Sequence, residues 1–154
     1  MTQPESRLAG VCRLLNEAGV AYVVIGGFAL ALHGVVRATK DIDVLIEPTV
    51  DNARRALQAL EGLKWGVSRE LDPAEVAAHP ITVVGDDPRI DLVTLAWSVR
   101  YADASPTVER VDVEGVEIPY VDLDTLIRTK RTDRFQDRAD VESLEQVRRL
   151  RRGD

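Results

Sequence analysis

Two aspartates, Asp41 and Asp43, stand one residue apart at the start of an apolar run that ends at Ile46. In a strand, alternate side chains share a face, so the two carboxylates would point the same way with their Cα atoms about 6.5 Å apart. Like charges this close repel each other unless a divalent cation compensates them. Carboxylate oxygens suit Mg²⁺ or Mn²⁺, and Mg²⁺ completes its shell with water and substrate phosphates. The pair predicts a metal site for a phosphorylated substrate, and the alternative is a solvated strand edge.

A glycine pair precedes the aspartates in the chain. The apolar run from Ala21 to Ile25 is typical of a buried strand, it stops at Gly26 and Gly27, and residues 28 to 33 are compatible with a short helix. Glycines between a strand and a helix leave backbone N–H groups open to an anion, and they carry no Cβ atom that would keep a phosphate away. Such turns are common in ordinary α/β proteins, so this one gains its weight from the neighbouring D-x-D.

A third carboxylate, Asp91, interrupts the strand-like run from Arg89 to Leu95. An aspartate inside such a strand is costly to bury without a partner. If this strand lies beside the one that carries Asp41 and Asp43, the three carboxylates converge on one metal site, and Asp91 could take the proton of an attacking hydroxyl. In the alternative, Asp91 begins the strand and faces water beside Arg89.

Together these residues resemble the signature of the nucleotidyltransferase superfamily of DNA polymerase β type. Within that superfamily, the pattern G-G-x-A, H-G, R-x-T-x-D-x-D is similar to that of small bacterial AbiEii-type toxins and lincosamide nucleotidyltransferases. The sequence carries this pattern at Gly26, Gly27, Ala29, His33, Gly34, Arg37, Thr39, Asp41 and Asp43, with the later aspartate at Asp91. The resemblance covers roughly residues 20 to 141.

The resemblance implies an α/β (α+β) fold, in which helices flank a mixed sheet and a helical segment ends the chain. It implies a Mg²⁺- or Mn²⁺-dependent enzyme that transfers NMP from an NTP such as ATP to a hydroxyl or phosphate and releases pyrophosphate. The implied catalytic and metal-binding residues are Asp41, Asp43 and Asp91, and the implied nucleotide-binding residues are Gly26, Gly27, Arg37, Thr39, Lys130 and Arg134. The acceptor stays open between a small molecule, a tRNA and a protein, and an antitoxin is a candidate partner.

Charged residues occupy the centre of one helical seam near the end of the chain. Positions 123, 127, 130, 134, 137, 141 and 144 follow helical spacing, with apolar residues at both ends. One helix, or two nearly collinear ones, would then turn Lys130, Arg134 and Asp137 inward, where unpaired charge is costly. An anionic ligand would account for the two cations, and the alternative is an internal pair between Arg134 and Asp137 or Asp140. Gln136 replaces a lysine that the resembled family often has here.

Composition limits the class of protein. The chain has 154 residues, 45% of them apolar and 30% charged, which fits one globular domain over residues 1–154. No apolar run is long enough to span a bilayer and no signal peptide is recognisable, so a cytoplasmic location without membrane attachment is expected. The net charge of −6 argues against broad electrostatic attachment to nucleic acid, although a basic cluster lies near the end of the chain. The single cysteine, Cys12, excludes an internal disulfide and is expected in the core.

Apolar periodicity and turn residues predict the other elements. Helices are expected over about 8–18, from 49 to about 61, and over about 122–133 and 137–151. Candidate strands are 64–70, 80–85, 89–95 and 107–118, the last divided near Glu114 and Gly115.

Other functions are compatible with parts of this pattern. A catalytically silent module could bind a nucleotide or a partner within a toxin–antitoxin pair, although the presence of all three aspartates argues against it. Metal-dependent glycosyltransferases also use D-x-D with a nucleotide, but the glycine turn and Asp91 fit them less well. Phosphatases with an aspartyl nucleophile have a hydrophobic strand directly before D-x-D, and residues 37–40 do not form one.

Overall fold

The computed structural model describes residues 4–153 and has a mixed β-sheet at its centre. The strands are β1 (Tyr22–Ile25), β2 (Ile42–Ile46), β3 (Ile81–Val84), β4 (Ile90–Val93), β5 (Glu109–Val113) and β6 (Val116–Tyr120). They form a 6-stranded sheet in the order β3-β4-β2-β1-β6-β5. β2 runs parallel to β4 and β1 parallel to β6, whereas the other neighbours are antiparallel. Two strands that are distant in sequence, β2 and β4, therefore lie side by side.

Helices cover this sheet, as the predicted mixed α/β architecture requires. They are α1 (Pro4–Glu17), α2 (Gly26–Leu32), α3 (Val50–Leu60), α4 (Pro73–Ala78), α5 (Tyr101–Ala104), α6 (Leu123–Thr129) and α7 (Phe135–Arg152). α1 packs on α3 and β6, α2 packs on β1 and β2, and α6 packs on α7. Within residues 4–153, no helix is both long enough and apolar enough to cross a bilayer.

The sequence of α3 explains both its start and its position. Thr49 caps the helix by accepting a hydrogen bond from the Asn52 backbone N–H, and the predicted inner face is buried at Ala53, Ala56, Leu57 and Leu60. The buried Asn52 amide also bonds the backbone of Ala21 and Glu47, at distances of 2.8 to 3.0 Å. These bonds fix α3 to the start of β1 and the end of β2, so the cap and the sheet support each other.

The core is continuous with the face of β2 that lies opposite Asp43. Ile42, Val44 and Ile46 are fully buried, as strand alternation predicts. Cys12 is buried in the same core, which confirms its predicted place. Because these residues hold β2 firmly, the carboxylate on its other face is held in a fixed position.

The predicted strand over 64–70 is wrong, since residues 67 to 70 form a short 3₁₀ helix. The backbone N–H groups of Trp65 and Val67 bond the Asp86 carboxylate instead of a neighbouring strand, and Gly66 turns the chain with φ of 65°. α4 was missed, although Asp72 and Pro73 form a recognisable helix start. α5 was missed as well.

The C-terminal helices are separated by a break. α6 ends at Thr129 and α7 begins at Phe135, so the predicted helix over 122–133 is too long and the next one starts two residues earlier than expected. The break places Lys130 at the C-terminal cap of one helix and Arg134 at the N-terminal cap of the other. This difference decides where the two cations point.

Candidate active site

The parallel pair β2 and β4 brings the predicted carboxylates together. Asp43 and Asp91 are registered partners on these neighbouring strands, and Asp41 lies one residue before β2. The expectation that the strand of Asp91 lies beside the D-x-D strand is confirmed. All three side chains line one cleft of about 550 Å³, which is a volume typical of small-ligand sites.

The surroundings of Asp43 perturb its acidity. Burial is the main cause, the nearby charge of Asp91 adds to it, and the Lys130 ammonium opposes it, so the pKa of Asp43 rises to about 7. A carboxyl in this position is costly to ionise without a compensating cation. The site therefore favours the arrival of positive charge next to Asp43.

The glycine pair packs directly against the residues of the D-x-D segment. Gly26 has φ of 70°, and a Cβ atom at this position would collide with the Asp43 carboxylate. A Cβ on Gly27 would lie 2.7 Å from the Thr39 hydroxyl oxygen. Glycine is therefore required here for a close approach within the protein, in addition to the phosphate access expected from the sequence.

The other predicted nucleotide-binding residues line the same cleft, but Lys130 and Arg37 are already paired with an acidic side chain. Arg37, Thr39, Lys130 and Arg134 all contribute to its wall. The Lys130 ammonium is buried, 2.9 Å from an Asp140 oxygen and 3.7 Å from Asp137, and Arg37 also pairs with Asp140.

Asp140 is the carboxylate on which this network converges. Burial alone would raise the pKa of Asp140, but hydrogen bonds from Lys130 and Gln136 and the charge of Arg37 outweigh it and hold the pKa below its usual value. The Gln136 amide donates to Asp140 at 3.0 Å, so this residue has an internal partner in place of a ligand. The network joins α7 to the segment just before the D-x-D strand.

The expectation that Arg134 turns inward is wrong. Its side chain is 78% exposed, at the rim of the cleft, and its Nε lies 3.9 Å from an Asp137 oxygen. Helical spacing does not continue through the break between α6 and α7, because Arg134 has extended backbone angles as the residue before α7. Lys130 and Asp137 are buried, as expected. The internal ion pairing considered for Arg134 is formed mainly by Lys130.

Arg89 is part of the site, although the sequence placed it only beside a solvent-facing Asp91, in the alternative to a metal site. Its Nε lies 3.0 Å from Asp91 and 3.8 Å from Asp41. Both readings of Asp91 are thus partly realised, because it neighbours Asp43 in the sheet and also pairs with Arg89. The signal in the sequence was the i, i+2 spacing of Arg89 and Asp91, which places both on one face of the strand.

The carboxylates fit a hard divalent cation, although they do not enclose one. Within residues 4–153, no group of three acidic, histidine or cysteine side chains forms a ready-made metal cage. Burial and the charge of Asp91 raise the pKa of Asp43. Mg²⁺ commonly takes one or two carboxylates and completes its shell with water and substrate phosphates, so Asp43 with Asp41 or Asp91 could hold it as part of a shared site.

One wall of the cleft is apolar, which was not predicted from the sequence. On the β3 and β4 side, the cleft is lined by Ile81, Val93, Leu95, Ala96 and Trp97. The glycines follow β1, on the other side of the carboxylates, and the cleft is also lined there by Arg37 and Lys130, whereas Arg89 directly precedes β4. The cleft is therefore divided into a polar side next to β1 and an apolar side next to β3.

His33, part of the sequence pattern, lies outside this cleft. Its ring is buried, and Nε2 is 2.8 Å from the carbonyl oxygen of Val121. The contact ties the end of α2 to the segment before α6, which is a structural role.

Comparison with known proteins bears on the fold. No family model matches the sequence, and no curated protein sequence matches it. The structure is similar to that of a Thermotoga maritima protein described as a "putative nucleotidyltransferase", with a TM-score of 0.57 and 16% identity over 100% of this chain and 97% of the other. This chain has the nucleotidyltransferase-like fold. The cleft described above lies on the sheet of that fold.

Proposed function

We propose that the protein is a metal-dependent nucleotidyltransferase that moves NMP from an NTP to an acceptor. The observation that supports this most strongly is the register of Asp43 with Asp91 on parallel strands, directly against Gly26. Half-buried carboxylates beside a glycine turn combine a site for a divalent cation with an approach for phosphates. Asp41, at the entrance of β2, adds a third carboxylate to the same cleft.

The reaction requires one bond to form and one to break at the α-phosphorus. The acceptor oxygen bonds to that phosphorus, the bond to the bridging oxygen of pyrophosphate breaks, and the proton of the acceptor hydroxyl passes to Asp91. When bound, the metal supplies positive charge that stabilises the entering and leaving oxygens. Gly26 and Gly27 accommodate the phosphates, and Arg134, whose side chain is 78% exposed at the rim, neutralises part of their charge.

Lys130 and Arg37 have a different part in this proposal. Both are held by Asp140, so they contribute a positive wall whose charge is partly balanced before any nucleotide arrives. Contact with the triphosphate requires them to share their hydrogen bonds between Asp140 and the ligand. We therefore assign them to orienting the nucleotide and assign the carboxylates to the chemistry.

Transfer of an α-phosphate label tests the proposal. The protein is incubated with each α-labelled NTP, Mg²⁺ and candidate acceptors, namely RNA, small hydroxyl compounds and the protein itself. We expect a labelled product, and we expect Asp91→Asn to lower its rate by about 10²- to 10⁴-fold, the usual contribution of a general base. Asp51→Asn, which changes an exposed carboxylate on α3, should leave the rate unchanged. Equal rates for Asp91→Asn and the parent would contradict the assignment.

One observation favours a second candidate, a silent module that binds a partner such as an antitoxin. Arg89 already compensates part of the charge of Asp41 and Asp91, which would suit a cleft that no longer binds metal. Expression in a bacterial host, with and without neighbouring gene products, separates the two. If the parent protein is toxic and Asp41→Ala is not, the result favours the enzyme. If neither protein is toxic and both bind the partner equally well, the result favours the module.

A further inference from the structure

Trp97 is an exposed aromatic residue at the apolar end of the cleft. Trp97 is 61% exposed, and it lines the same cleft as Asp43 and Asp91. Together with the apolar residues that line the same wall of the cleft, this mostly exposed tryptophan forms the kind of apolar patch that marks a ligand-binding surface.

The backbone at Trp97 is in a conformation that tryptophan rarely adopts. Ala96 and Val99 exchange two backbone hydrogen bonds of 2.9 and 3.0 Å, which closes a turn with Trp97 and Ser98 at its tip. Trp97 has φ of 58°, and Ser98 is not among the residues with positive φ. A positive φ at the first central position only is the pattern of a type II′ turn, where glycine is the usual residue.

Backbone strain in a bulky residue at a cleft directs attention to its side chain. A left-handed residue other than glycine, asparagine or aspartate is held only where the surrounding structure determines it. The closed turn fixes the Trp97 backbone. A short turn with little freedom presents a flat aromatic ring at one end of the cleft.

The surroundings of Trp97 specify the kind of group that would lie on it. Ile81, Val93 and Leu95 line the cleft together with Trp97 and the carboxylates, and Val93 lies two residues after Asp91 on the same face of β4, about 7 Å along the strand. A ligand with its reacting atoms at the carboxylates therefore extends over apolar surface before it reaches the indole. A flat, weakly polar ring attached through a short spacer fits this shape.

We propose that Trp97 is a stacking platform for a nucleobase. The inference rests on the proposed nucleotidyl transfer, in which the ring-bearing substrates are nucleosides. Aromatic rings stack on any base because every base presents a π-face, so the platform would bind bases with little sequence preference. The base belongs either to the donor NTP or to a nucleoside acceptor whose hydroxyl lies at Asp91.

The two tryptophans of the chain provide a matched pair for testing this. Trp65 is 60% exposed, nearly the same as Trp97, but it lies against Lys64, outside the residues that line the cleft. In Trp65→Phe the sole tryptophan is Trp97, and in Trp97→Phe it is Trp65, so the tryptophan emission reports on one site in each variant. We expect a non-transferable Mg·NTP analogue or a free nucleoside to quench the fluorescence of the first variant and leave the second unchanged, which also controls for absorption by the bases.

A glycine at position 97 separates loss of stacking from loss of folding. Trp97→Gly places the preferred residue in the strained turn, so the fold should be retained, as circular dichroism can verify. We expect the nucleobase-containing ligand to bind about tenfold more weakly to Trp97→Gly, and Trp97→Phe to retain most of the affinity. Equal affinity of the parent and Trp97→Gly for both NTP and nucleosides would overturn the inference.

Binding of Mg·NTP and of nucleosides, measured separately, distinguishes the two sources of the base. Binding of a ligand without a base tests the proposed function independently of Trp97. If Trp97→Gly binds Mg·NTP more weakly than the parent does but binds nucleosides equally well, the donor base stacks on Trp97. If it binds more weakly only those nucleosides that do not displace Mg·NTP, the acceptor base stacks on Trp97. Magnesium tripolyphosphate, which has no base, should bind the parent and Trp97→Gly equally. If it binds both while Trp97 has no effect on any base, the inference fails and the proposed function stands. If neither it nor Mg·NTP binds the parent, the proposed function fails.

Discussion

At the scale of single residues, Asp43 combines burial, like charge and close packing. It lies beside Asp91, against Gly26, with its pKa raised to about 7. Protein interiors keep an uncompensated carboxylate only where function offsets its cost in stability. We therefore expect Asp43 to destabilise the protein when no cation is bound and to contribute to cation binding when one is present.

The pH dependence of stability tests this cost. The pKa of Asp43 is higher in the folded protein than in the unfolded chain, so the folded state binds the extra proton and the free energy of unfolding falls as pH rises from about 4 to about 7. Asp43→Asn removes this term. We expect the variant to be more stable than the parent at pH 8, without divalent cations, by on the order of 1–4 kcal/mol, and the gain to shrink toward pH 4.

Urea unfolding at pH 4 and pH 8 measures the pH dependence of the parent's stability and the stability gain of Asp43→Asn. Asp51→Asn serves as the control, since its carboxylate is exposed on α3 and should show no comparable gain. A variant that is no more stable than the parent at pH 8 would show that Asp43 is not strained by its surroundings.

Gly26 supports a second prediction at this scale. Gly26→Ala adds a methyl group that collides with Asp43, and it also places alanine at positive φ. Gly34→Ala is matched, because it has φ of 96° but open space around a new Cβ. We expect Gly34→Ala to cost about 1 kcal/mol from backbone conformation alone and Gly26→Ala to cost at least about 1 kcal/mol more. Equal urea midpoints for the two variants would rule out the close approach.

At the scale of elements, the sequence predicted strands and helices best where one period ran without interruption. β1, β2, β4 and the face of α3 follow directly from apolar spacing. Two of the errors lie where side chains take over backbone bonds, as Asp86 does around Gly66, and where a helix breaks, as it does before Arg134. Periodicity carries no information on such local competition.

The ion network between α7 and the segment before β2 gives a prediction for an element contact. Asp140 neutralises the buried Lys130 and pairs with Arg37, so Asp140→Asn leaves buried positive charge with less compensation. We expect a loss of about 1–3 kcal/mol at neutral pH. Because the pKa of Asp140 is lowered in the folded protein, this contribution is present above the pKa of an unfolded aspartate and is lost as pH falls through the folded value.

Asp133→Asn is the matched control on the neighbouring turn. Asp133 is fully exposed and faces Arg138 at 3.5 Å, and surface pairs of this kind contribute little. Urea unfolding should give a lower free energy of unfolding for Asp140→Asn than for Asp133→Asn at pH 7, and a smaller difference between them at pH 3. A cost for Asp140→Asn no larger than that for Asp133→Asn would mean that the network does not hold α7 in place.

At the scale of the whole molecule, the sheet order creates the site. β2 and β4 are separated by 43 intervening residues, from 47 to 89, yet they are neighbours in the sheet. The sequence identified Asp41, Asp43 and Asp91 by residue type, and the adjacency of their strands was a conditional expectation that the topology fulfils. Arg89 and Trp97 could not be assigned from the sequence in the same way, because their roles depend on a side-chain direction and on a strained turn.

Calorimetric titration of an NTP, with and without Mg²⁺, measures whether the carboxylates of β2 and β4 bind the nucleotide through a divalent cation. We predict that the parent and Asp51→Asn bind the NTP at least about tenfold more tightly with Mg²⁺ than without it, and that Asp43→Asn loses this difference. Equal affinity with and without Mg²⁺, or a magnesium effect that persists in Asp43→Asn, would contradict the account.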